Sequence, residues 1–367
     1  MDTREALITL NMAEHVGPVR VRRLLEHFGD APSVLKATAS QLTQVKGIGG
    51  EAAASISDWE KRTDLSGELK RIKDFGCHVI TADDEEYPDL LKEIYDPPIV
   101  LYVKGSLTAM DHRGVAMVGS RQTTLYGMET AKRMAKDLAA RGVTVVSGGA
   151  RGIDTAAHQG ALKSGGRTVA VLGTGINLVA PAENARLLNE ISESGAVVSQ
   201  FPFNRKGDRQ SFPIRNRIVA GMTLGNIVVE ANQSSGALIT ANMAADYSRQ
   251  VFAIPGRIDS PRSKGCHDLI KKGAALIDSA EDVIEELSLQ LPNSVSEPET
   301  DEPALPLNDA LPENEKRIYD LLEAQELSMD DIMLQTDLTT PVASVALLNL
   351  EMKRLVKQMP GRIFMRA

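Results

Sequence analysis

The sequence predicts an α/β protein built around a Rossmann-like, doubly wound and mostly parallel sheet, with a small all-α domain before the sheet and a winged-helix domain after it. From residue 99 to about residue 277, short β-branched runs alternate with helical stretches, a pattern typical of strands that helices cover on both faces. Residues 1–62 show only short helical patterns, and residues 313–367 show three helical patterns and a hairpin. The length of 367 residues favours two or three domains.

The N-terminal domain, predicted over residues 1–65, contains the pattern of a helix–hairpin–helix (SAM-like) fold. Val45-Lys46-Gly47-Ile48-Gly49 precedes a helical stretch, and Val16-Gly17-Pro18 is a degenerate copy of the same turn. The glycine turn of such a motif offers backbone amides to DNA phosphates. Residues 1–62 hold eight bases and eight acids, too little net charge for tight binding alone. A helical domain that only packs on the sheet is therefore an equal alternative.

The Rossmann-like domain is predicted over residues 66–288. Its strands are short, mainly apolar runs: Ile99–Val103, Val115–Val118, Val143–Ser147, Thr168–Leu172, Val197–Ser199, Ile227–Glu230 and Val251–Ile254. The helices predicted between them include Met128–Arg141, Ile153–Lys163, Glu183–Ser194 and Ala237–Ser248. Right-handed crossovers between parallel strands place such helices on both faces of one sheet. The carboxyl ends of the strands then meet at one edge, where a ligand of this fold is expected.

Two segments follow the sheet. Residues 289–312 contain five prolines among serines, asparagines and acids, a composition that predicts a flexible acidic linker. Residues 313–367 have the size and element order of a winged helix, with helices over Lys316–Glu323, Met329–Gln335 and Val342–Lys353 and a hairpin-like end. The third helix is mostly valine, alanine and leucine, so it favours a protein-interaction or accessory module over a reader of base edges.

The net charge of −8 seems to argue against a nucleic-acid partner, but the acids are unevenly placed. Residues 281–315 hold eleven acids and no lysine or arginine, so the rest of the chain carries a net charge of +3. Any DNA would therefore be held by a few arginines in a confined pocket, and not by a broad basic surface. Aromatic residues make up only 4% of the chain, which argues against a large stacking surface.

Cysteine usage and hydropathy bear on the compartment. Cys77 and Cys266 are too few for a disulfide framework, which favours a reducing compartment. The N-terminus lacks an apolar signal core, and no run approaches the roughly 20 apolar residues that span a bilayer. We therefore expect a soluble, cytoplasmic protein with no membrane partner. Cys266-His267 has no further ligands at metal spacing, so no zinc site is predicted.

Three loops that follow predicted strands are rich in glycine, and two of them carry an arginine. They are Gly119-Ser120-Arg121, Ser147-Gly148-Gly149-Ala150-Arg151-Gly152 and Gly173-Thr174-Gly175. Glycine lets a backbone approach a phosphate closely, helix N-termini favour anions, and arginine adds charge-assisted bonds. Glycines that only form tight turns are the alternative, but several such loops at one edge favour an anion site. The sequence has no G-x-G-x-x-G fingerprint and no P-loop, so no cofactor is predicted.

A basic segment, residues 201–217, indicates which anion binds. Residues 205–217 hold five bases against one acid, and residues 201–217 include three of the seven phenylalanines. Bases that follow phosphates, with aromatics that stack on nucleobases, are typical of single-strand binding. A core of phenylalanines beneath a solvated basic face is the alternative. Arg215 and Arg217 are two residues apart, so on a helix they would not share a face, and at least one is expected to be structural.

Two further patterns remain open at the level of sequence. Ser234-Ser235-Gly236 follows the strand that ends at Glu230; it could cap the next helix, offer amides to a phosphate, or do both. Asp154 and His158 lie four residues apart on one predicted helix, where a structural hydrogen bond between them is favoured over a catalytic role. Neither Ser120 nor Ser147 has a G-x-S-x-G context. We therefore predict no catalytic residues.

Taken in order, these motifs resemble the DNA-processing protein A family (DprA, also called Smf). The resemblance is carried by Val118-Gly119-Ser120-Arg121…Tyr126-Gly127, the Ser147–Asp154 loop with His158, Phe212-Pro213-Ile214-Arg215-Asn216-Arg217, Glu230-Ala231, Ser235–Thr240 and Ile254-Pro255-Gly256. With the flanking domains it covers nearly the whole chain. It implies a non-enzymatic protein that binds and protects incoming single-stranded DNA in natural transformation, helps to load the RecA recombinase on it, and dimerises through the Rossmann-like domain.

The resemblance also implies a set of DNA-binding residues. Arg121 would grip phosphate, and the other bases would surround the same pocket, so the expected set is Gly119, Ser120, Arg121, Gly149, Arg151, Arg215, Arg217, Ser235 and Gly236. The chain departs from the family pattern in two places. Ala180 precedes Pro181 where the family often has tyrosine, sometimes beside a base, and Gln200 follows Ser199 where it often has glutamate. The first departure removes a stacking or basic contact from one side of the pocket.

Two other functions compete with single-strand binding. Rossmann-like domains also bind nucleoside phosphates, so an enzyme that binds or hydrolyses a nucleotide is the first alternative, with Asp154 and Glu230 as its candidate acids. A transcription regulator that reads duplex DNA through the winged tail is the second, and the apolar third helix disfavours it.

Overall fold

The computed structural model describes residues 1–288, 312–322, 327–336, 338–352, 355–359 and 363–366. The chain divides into two compact units, residues 1–292 and 293–367. The predicted linker, residues 289–312, falls outside the described residues except for Pro312.

The helices and strands of the first unit are as follows. The helices are α1 (Thr3–Met12), α2 (Pro18–Phe28), α3 (Ala31–Lys36), α4 (Ala39–Leu42), α5 (Gly50–Ser57), α6 (Trp59–Arg62), α7 (Leu65–Phe75), α8 (Asp89–Lys92), α9 (Leu125–Ala140), α10 (Ile153–Lys163), α11 (Ala185–Ser194), α12 (Ser211–Gly221), α13 (Gly236–Asp246), α14 (Lys264–Lys271) and α15 (Ala280–Ser288). The strands are β1 (His78–Ile80), β2 (Leu101–Gly105), β3 (Val115–Val118), β4 (Val145–Gly148), β5 (Thr168–Val171), β6 (Ala196–Ser199), β7 (Gly225–Val228), β8 (Gln250–Ala253) and β9 (Ala275–Leu276).

These strands form one sheet in the order β1-β2-β6-β5-β4-β3-β7-β8-β9. The strands from β6 to β9 pair in parallel, whereas β1 and β2 are antiparallel additions at one edge. The predicted mostly parallel, doubly wound sheet is confirmed. The chain winds outward from β3 through β4, β5 and β6 and then returns to the other side of β3 as β7. A crevice therefore opens between β3 and β7, where ligands of open α/β sheets bind.

Strand β3 shows why the sheet is covered on both faces. All four residues of β3 are buried. Ala116 and Val118 join one apolar core, while Val115 and Met117 join a second core together with residues of α9 and α10. Because successive side chains of a strand point to opposite faces, an apolar run of this kind needs helices on both sides.

The N-terminal helices share an apolar core with the edge of the sheet. Buried leucines of α1 and α2 belong to the same cluster as Tyr102 of β2 and Val197 of β6. Phe203 ties the parts together, since its ring lies edge-on to Phe75 at 5.6 Å and to Tyr102 at 5.9 Å. The predicted all-α region is confirmed, and it packs on the sheet.

The second unit contains α16 (Glu313–Leu321), β10 (Leu327–Ser328), α17 (Met329–Thr336), α18 (Thr340–Met352), β11 (Val356–Met359) and β12 (Ile363–Arg366). Its strands pair in the order β10-β12-β11, antiparallel throughout. Ile318, Ile332, Leu350 and Phe364 are buried in one core. This is the predicted winged-helix arrangement, with the short strand β10 as an element that the apolar pattern of the sequence does not show.

Candidate nucleic-acid interface

A cleft of about 380 Å³ opens at the carboxyl edge of the sheet, at the crevice between β3 and β7. It lies among the loops that follow β3, β4 and β7 and the first turns of α12. Six residues of the predicted set line it, together with Gly148: they are Gly119, Ser120, Arg121, Arg215, Ser235 and Gly236. A second cavity of about 210 Å³ adjoins it and shares Arg121, Phe212 and Arg215. The fold thus brings the glycine–arginine loops together at one edge of the sheet, as the sequence predicts.

Glu230 holds the loop after β3 in place. Its buried carboxylate accepts hydrogen bonds from the Thr123 hydroxyl (2.6 Å), the Thr124 amide (2.8 Å) and the Thr124 hydroxyl (2.9 Å). Its carbonyl oxygen also accepts from the Ser120 amide at 2.7 Å. Because both carboxylate oxygens are bound to the loop, Glu230 acts as a positioning residue, and this geometry does not support the alternative in which it is the acid of a nucleotide-processing enzyme.

Two glycines let the loops after β3 and β4 approach each other. Gly152 has φ of +81°, and a side chain there would overlap the carbonyl oxygen of Ser120. Gly119 lies against Ile153, whose Cγ1 would be 2.5 Å from a Cβ at this position. The backbone of the Gly-Ser-Arg turn is therefore held directly against the start of α10. This close approach needs glycine in both loops.

A buried pair of opposite charges, Asp154 and Arg215, forms the floor of the cleft. Both flank Gly148, where any side chain would overlap the Arg215 guanidinium and the Asp154 carboxylate. The Arg215 guanidinium donates to the Val171 carbonyl and to Asn216 Oδ1. Burial raises the pKa of Asp154, and the charge of Arg215 is the main opposing effect. Burial also lowers the pKa of Arg215, so each charge depends on the other.

Arg121 is the exposed cation of the cleft. Its guanidinium carbon lies 4.7 Å from the centre of the Phe212 ring, a cation–π contact that fixes its direction. No carboxylate pairs with it among the residues that the structure describes. A charged, oriented guanidinium that has no carboxylate in direct ion-pair contact is suited to a phosphate at the mouth of a cleft.

Arg151 lines the smaller cavity but already has a partner. Its Nε and Nη2 donate to the two carboxylate oxygens of Glu183, at 2.6 and 2.7 Å. Both side chains are exposed, and the pairing raises the pKa of Arg151 and lowers that of Glu183. The predicted phosphate contact of Arg151 thus requires exchange of this carboxylate for a phosphate. Gly149, on the same loop, lines the same cavity.

Arg217 is the one predicted residue that lines neither of these two cavities. It lies on the other side of α12, where its guanidinium donates to the Asp96 carbonyl and to Gln200 Oε1 and lies 3.5 Å from the Asp96 carboxylate. The side chain is buried. Its expected place around the phosphate pocket is corrected: two residues of spacing on a helix turn Arg217 away from Arg215, as the periodicity indicated.

Ser235 is the N-cap of α13. Its side-chain oxygen accepts a hydrogen bond from the Ala237 amide at 3.3 Å, and Ser235 and Gly236 both line the cleft. The capping interpretation of this motif is therefore present in the structure. The N-terminus of α13 also faces the cleft, so its partial positive charge adds to that of Arg121.

His158 does not contact Asp154 as the sequence suggested. Its Nε2 donates to the Gly148 carbonyl at 2.8 Å, and its Nδ1 lies 2.7 Å from Thr168 Oγ1. Asp154 instead accepts from the Ala150 amide at 3.2 Å. The buried histidine supports the loop that follows β4 through these contacts, and burial lowers the pKa of His158 to about 4.

This buried histidine predicts an acid-sensitive stability. Between pH 6.5 and about 4 the unfolded chain binds a proton at His158 that the folded chain does not, so the free energy of unfolding falls as the pH falls through this window. The shift corresponds to about 3 kcal/mol at the acid end. In urea unfolding at a series of pH values, the difference between wild type and His158→Gln should shrink by that amount on acidification. Parallel pH profiles of the two proteins would contradict this role.

Several residues of the cleft were not predicted as binding residues. They include Gln122, Phe212, Asn216, Asn232, Ile239 and Thr240. Phe212 could have been identified from the basic, phenylalanine-containing segment, since an aromatic residue three positions before a buried arginine lies on the same face of a helix. The asparagines carried no pattern that distinguishes them from loop residues.

In the described part of the chain, no three histidine, cysteine, aspartate or glutamate side chains come together as a metal site. None of the helices in the described ranges combines the length and the apolar character needed to cross a bilayer.

Comparison with known proteins gives a consistent family match. Residues 78–288 match the family described as DNA recombination-mediator protein A, and residues 302–362 match the DprA winged helix domain. Protein Smf from Synechocystis is 34% identical over 383 residues, which cover 96% of each chain. The crystal structure of DNA processing protein A from Streptococcus pneumoniae has a TM-score of 0.69 at 34% identity, covering 78% of this chain and 99% of that chain. A Helicobacter pylori structure of the same family, described for its single-stranded DNA binding mode, has a TM-score of 0.53 at 28% identity, covering 59% and 98%.

Proposed function

Because the chain belongs to the DprA/Smf family of DNA recombination mediators, we propose that it binds single-stranded DNA in the cleft at the carboxyl edge of the sheet. The observation that carries the proposal is Arg121, which is exposed, stacked on Phe212 and without a carboxylate partner in the described ranges. It stands at the mouth of a cleft that the N-terminus of α13 also faces. Proteins that bind single strands combine cations for the phosphates with aromatic faces for the bases, and the helix N-terminus adds backbone amides that favour a phosphate.

The confined cleft supports a preference for single strands. The cationic features of the cleft lie at one edge of the sheet. In the second unit, α18 is largely apolar, with Val345 exposed, which disfavours contacts of this helix with the base edges of a duplex. A duplex presents its phosphates on a stiff rod and its bases inside the helix, so it cannot place one phosphate and one base in a narrow cleft at the same time. The cleft therefore favours a flexible strand over a duplex.

A binding assay tests the proposal directly. Fluorescence anisotropy with a labelled oligothymidylate should show binding that weakens with added salt, because phosphate contacts release counterions. A duplex of the same length should bind more weakly at equal salt. Equal affinity for both forms, or an affinity for the single strand that does not change with salt, would contradict the proposed function.

We further propose that the bound strand is protected and passed to the RecA recombinase. In this proposal the protein works in the cytoplasm as a homodimer formed through the Rossmann-like domain. It is a binding protein and not an enzyme, and its domains span residues 1–65, 66–288 and 313–367 with a linker over 289–312. Filament assembly of RecA on the strand, followed with and without the protein, measures the loading step. A protein that binds the strand but slows RecA assembly would contradict loading while leaving strand binding intact.

A further inference from the structure

The start of α9 carries two exposed apolar side chains close to the cleft. The loop after β3, which brings Arg121 into the lining of the cleft, leads directly into α9, and Leu125 and Tyr126 are the first two residues of that helix. Leu125 is 71% exposed and Tyr126 is 54% exposed. Neither of them lines the two cavities described above. Exposed apolar side chains that occur together, and not singly, are typical of a binding surface.

The first turn of α9 is held against the edge of the sheet. A Cβ at Gly127 would lie 2.6 Å from Glu230 Oε2 and 2.3 Å from Thr123 Oγ1. Glycine therefore lets the helix approach the same carboxylate that holds the loop after β3. Arg121 and Tyr126 thus belong to one segment with a common anchor, so their relative positions are set by the fold.

The ring of Tyr126 is fixed at its polar end. The Tyr126 hydroxyl donates to the Pro255 carbonyl at 2.9 Å, in the loop that follows β8. Ile258, in the same loop, is 89% exposed. The hydrogen bond occupies only the hydroxyl of Tyr126, and the apolar part of the side chain remains in contact with water. An oriented and exposed aromatic ring next to a phosphate-binding cleft is suited to a nucleobase.

Two cations continue this surface along α9. Arg133 follows Tyr126 by two turns, which places both residues on one face of the helix, about 10 Å apart along its axis. Lys136 lies one turn further, and both cations are exposed. Within the described ranges, neither of them pairs with a carboxylate. Glu129 lies between Tyr126 and Arg133, but it pairs with Lys132 at 3.4 Å. The face therefore offers two unpaired cations to an anionic ligand.

We propose that Tyr126 and this face of α9 form a second contact for single-stranded DNA. Helix α9 packs on the opposite face of the sheet from α12 and α13, so the strand crosses the sheet edge at Arg121, stacks a base on Tyr126 and places the next phosphates on Arg133 and Lys136. The inference rests on the proposed single-strand binding and extends it to a surface outside the cleft. The contact is independent of sequence, because every base has a face that can stack.

Substitutions of Tyr126 test the stacking contact. Tyr126→Ala should lower the affinity for a long oligothymidylate on the order of tenfold, whereas Tyr126→Phe, which keeps the ring and loses the bond to Pro255, should bind nearly as wild type does. The matched control is Tyr95→Ala, because Tyr95 is also exposed but its ring is covered by Arg22. An oligothymidylate short enough to occupy only the cleft should bind Tyr126→Ala and wild type equally. Irradiation of a long strand that contains 5-iodouridine should crosslink it to Tyr126.

The double variant Arg133→Gln/Lys136→Gln tests the contact along the helix. For long strands, loss of two phosphate contacts should reduce the slope of log K against log salt by about 1.4. Lys36→Gln/Lys61→Gln removes two exposed lysines from α3 and α6 and should leave the slope unchanged. Both double variants should unfold thermally as wild type does, since all four side chains are exposed.

The outcomes distinguish this inference from the proposed function. If Tyr126→Ala binds long strands as wild type does while Arg121→Glu loses affinity, the second contact is wrong and the cleft stands. If Tyr126→Phe loses as much affinity as Tyr126→Ala, the residue acts through its hydroxyl and the stacking contact is wrong. A change in the sedimentation coefficient of the DNA-free protein on Tyr126→Ala would show that the surface joins protein to protein, which also overturns the inference. If wild type binds no oligothymidylate of any length, the proposed function itself fails.

Discussion

Reversal of charge at Arg121 should lower the affinity for single-stranded DNA by on the order of a hundredfold, which corresponds to about 3 kcal/mol. A charge-assisted hydrogen bond contributes about 1.5–3 kcal/mol, and Arg121→Glu also adds repulsion between the new carboxylate and the phosphate. The fold should be retained because the side chain is exposed; apart from the contact with Phe212, its charge acts on the buried Asp154 and Arg215 across the cleft. Titration of a labelled oligothymidylate at constant salt measures the effect.

Two variants separate the role of Arg121 from general electrostatics. Arg113 is also exposed but precedes β3 at the opposite edge of the sheet, so Arg113→Glu should bind nearly as wild type does. Arg121→Lys keeps the charge but loses the planar, bidentate geometry and the stacking on Phe212, so it should give an intermediate affinity. If Arg113→Glu and Arg121→Glu weaken binding equally, the effect comes from net charge and the cleft is not the site.

Replacement of Arg215 by methionine should lower the free energy of unfolding by about 3 kcal/mol or more, because it leaves Asp154 buried without its main opposing charge. The loss should depend on pH. Without Arg215 the pKa of Asp154 rises further, so its folded pKa lies still higher above the unfolded value. The deficit is then largest at neutral pH and shrinks as the pH falls and Asp154 binds a proton. Urea unfolding at several pH values measures this dependence.

The second substitution Asp154→Asn tests the origin of this loss. In the Arg215→Met background it removes the uncompensated charge, so part of the stability should return, and the pH dependence of the deficit should disappear. The strand affinity of each variant, corrected for the fraction of the protein that is folded, then shows whether Arg215 contacts phosphate as well. A deficit that is constant with pH and is not relieved by Asp154→Asn would mean that Arg215 acts through its bonds to Val171 and Asn216 alone.

The sheet was predictable because its strands are buried on both faces, which makes their apolar runs nearly continuous. The strand predicted at Val115–Val118 has the same bounds as β3 in the structure, and the helix predicted at Ile153–Lys163 has the same bounds as α10. The run beginning at Ile99 forms β2, but it pairs antiparallel with β6, and an apolar run carries no information on strand direction. Strands β1 and β9 are only three and two residues long, too short to show a period.

The site was predictable where chemistry is local and unpredictable where it depends on distant partners. Glycine beside arginine after a strand predicts a phosphate-binding turn, and the cleft contains Gly119, Ser120 and Arg121 as expected. The contacts of Arg217 with Asp96 and Gln200 bring together residues far apart in the sequence, and no pattern near Arg217 reveals them. The same holds for the pairing of Arg151 with Glu183.

The pairing of Arg151 with Glu183 affects how the affinity for a strand depends on salt. Glu183 serves Arg151 as a built-in counterion, and an exposed pair of this kind contributes only about 0–1 kcal/mol, so a phosphate can displace it at little cost. The displaced carboxylate then attracts a cation from solution, which offsets the cation that the phosphate releases. Arg151 would therefore raise the affinity for a strand with almost no effect on the slope of log K against log salt. The slope would then underestimate the number of arginines that contact DNA.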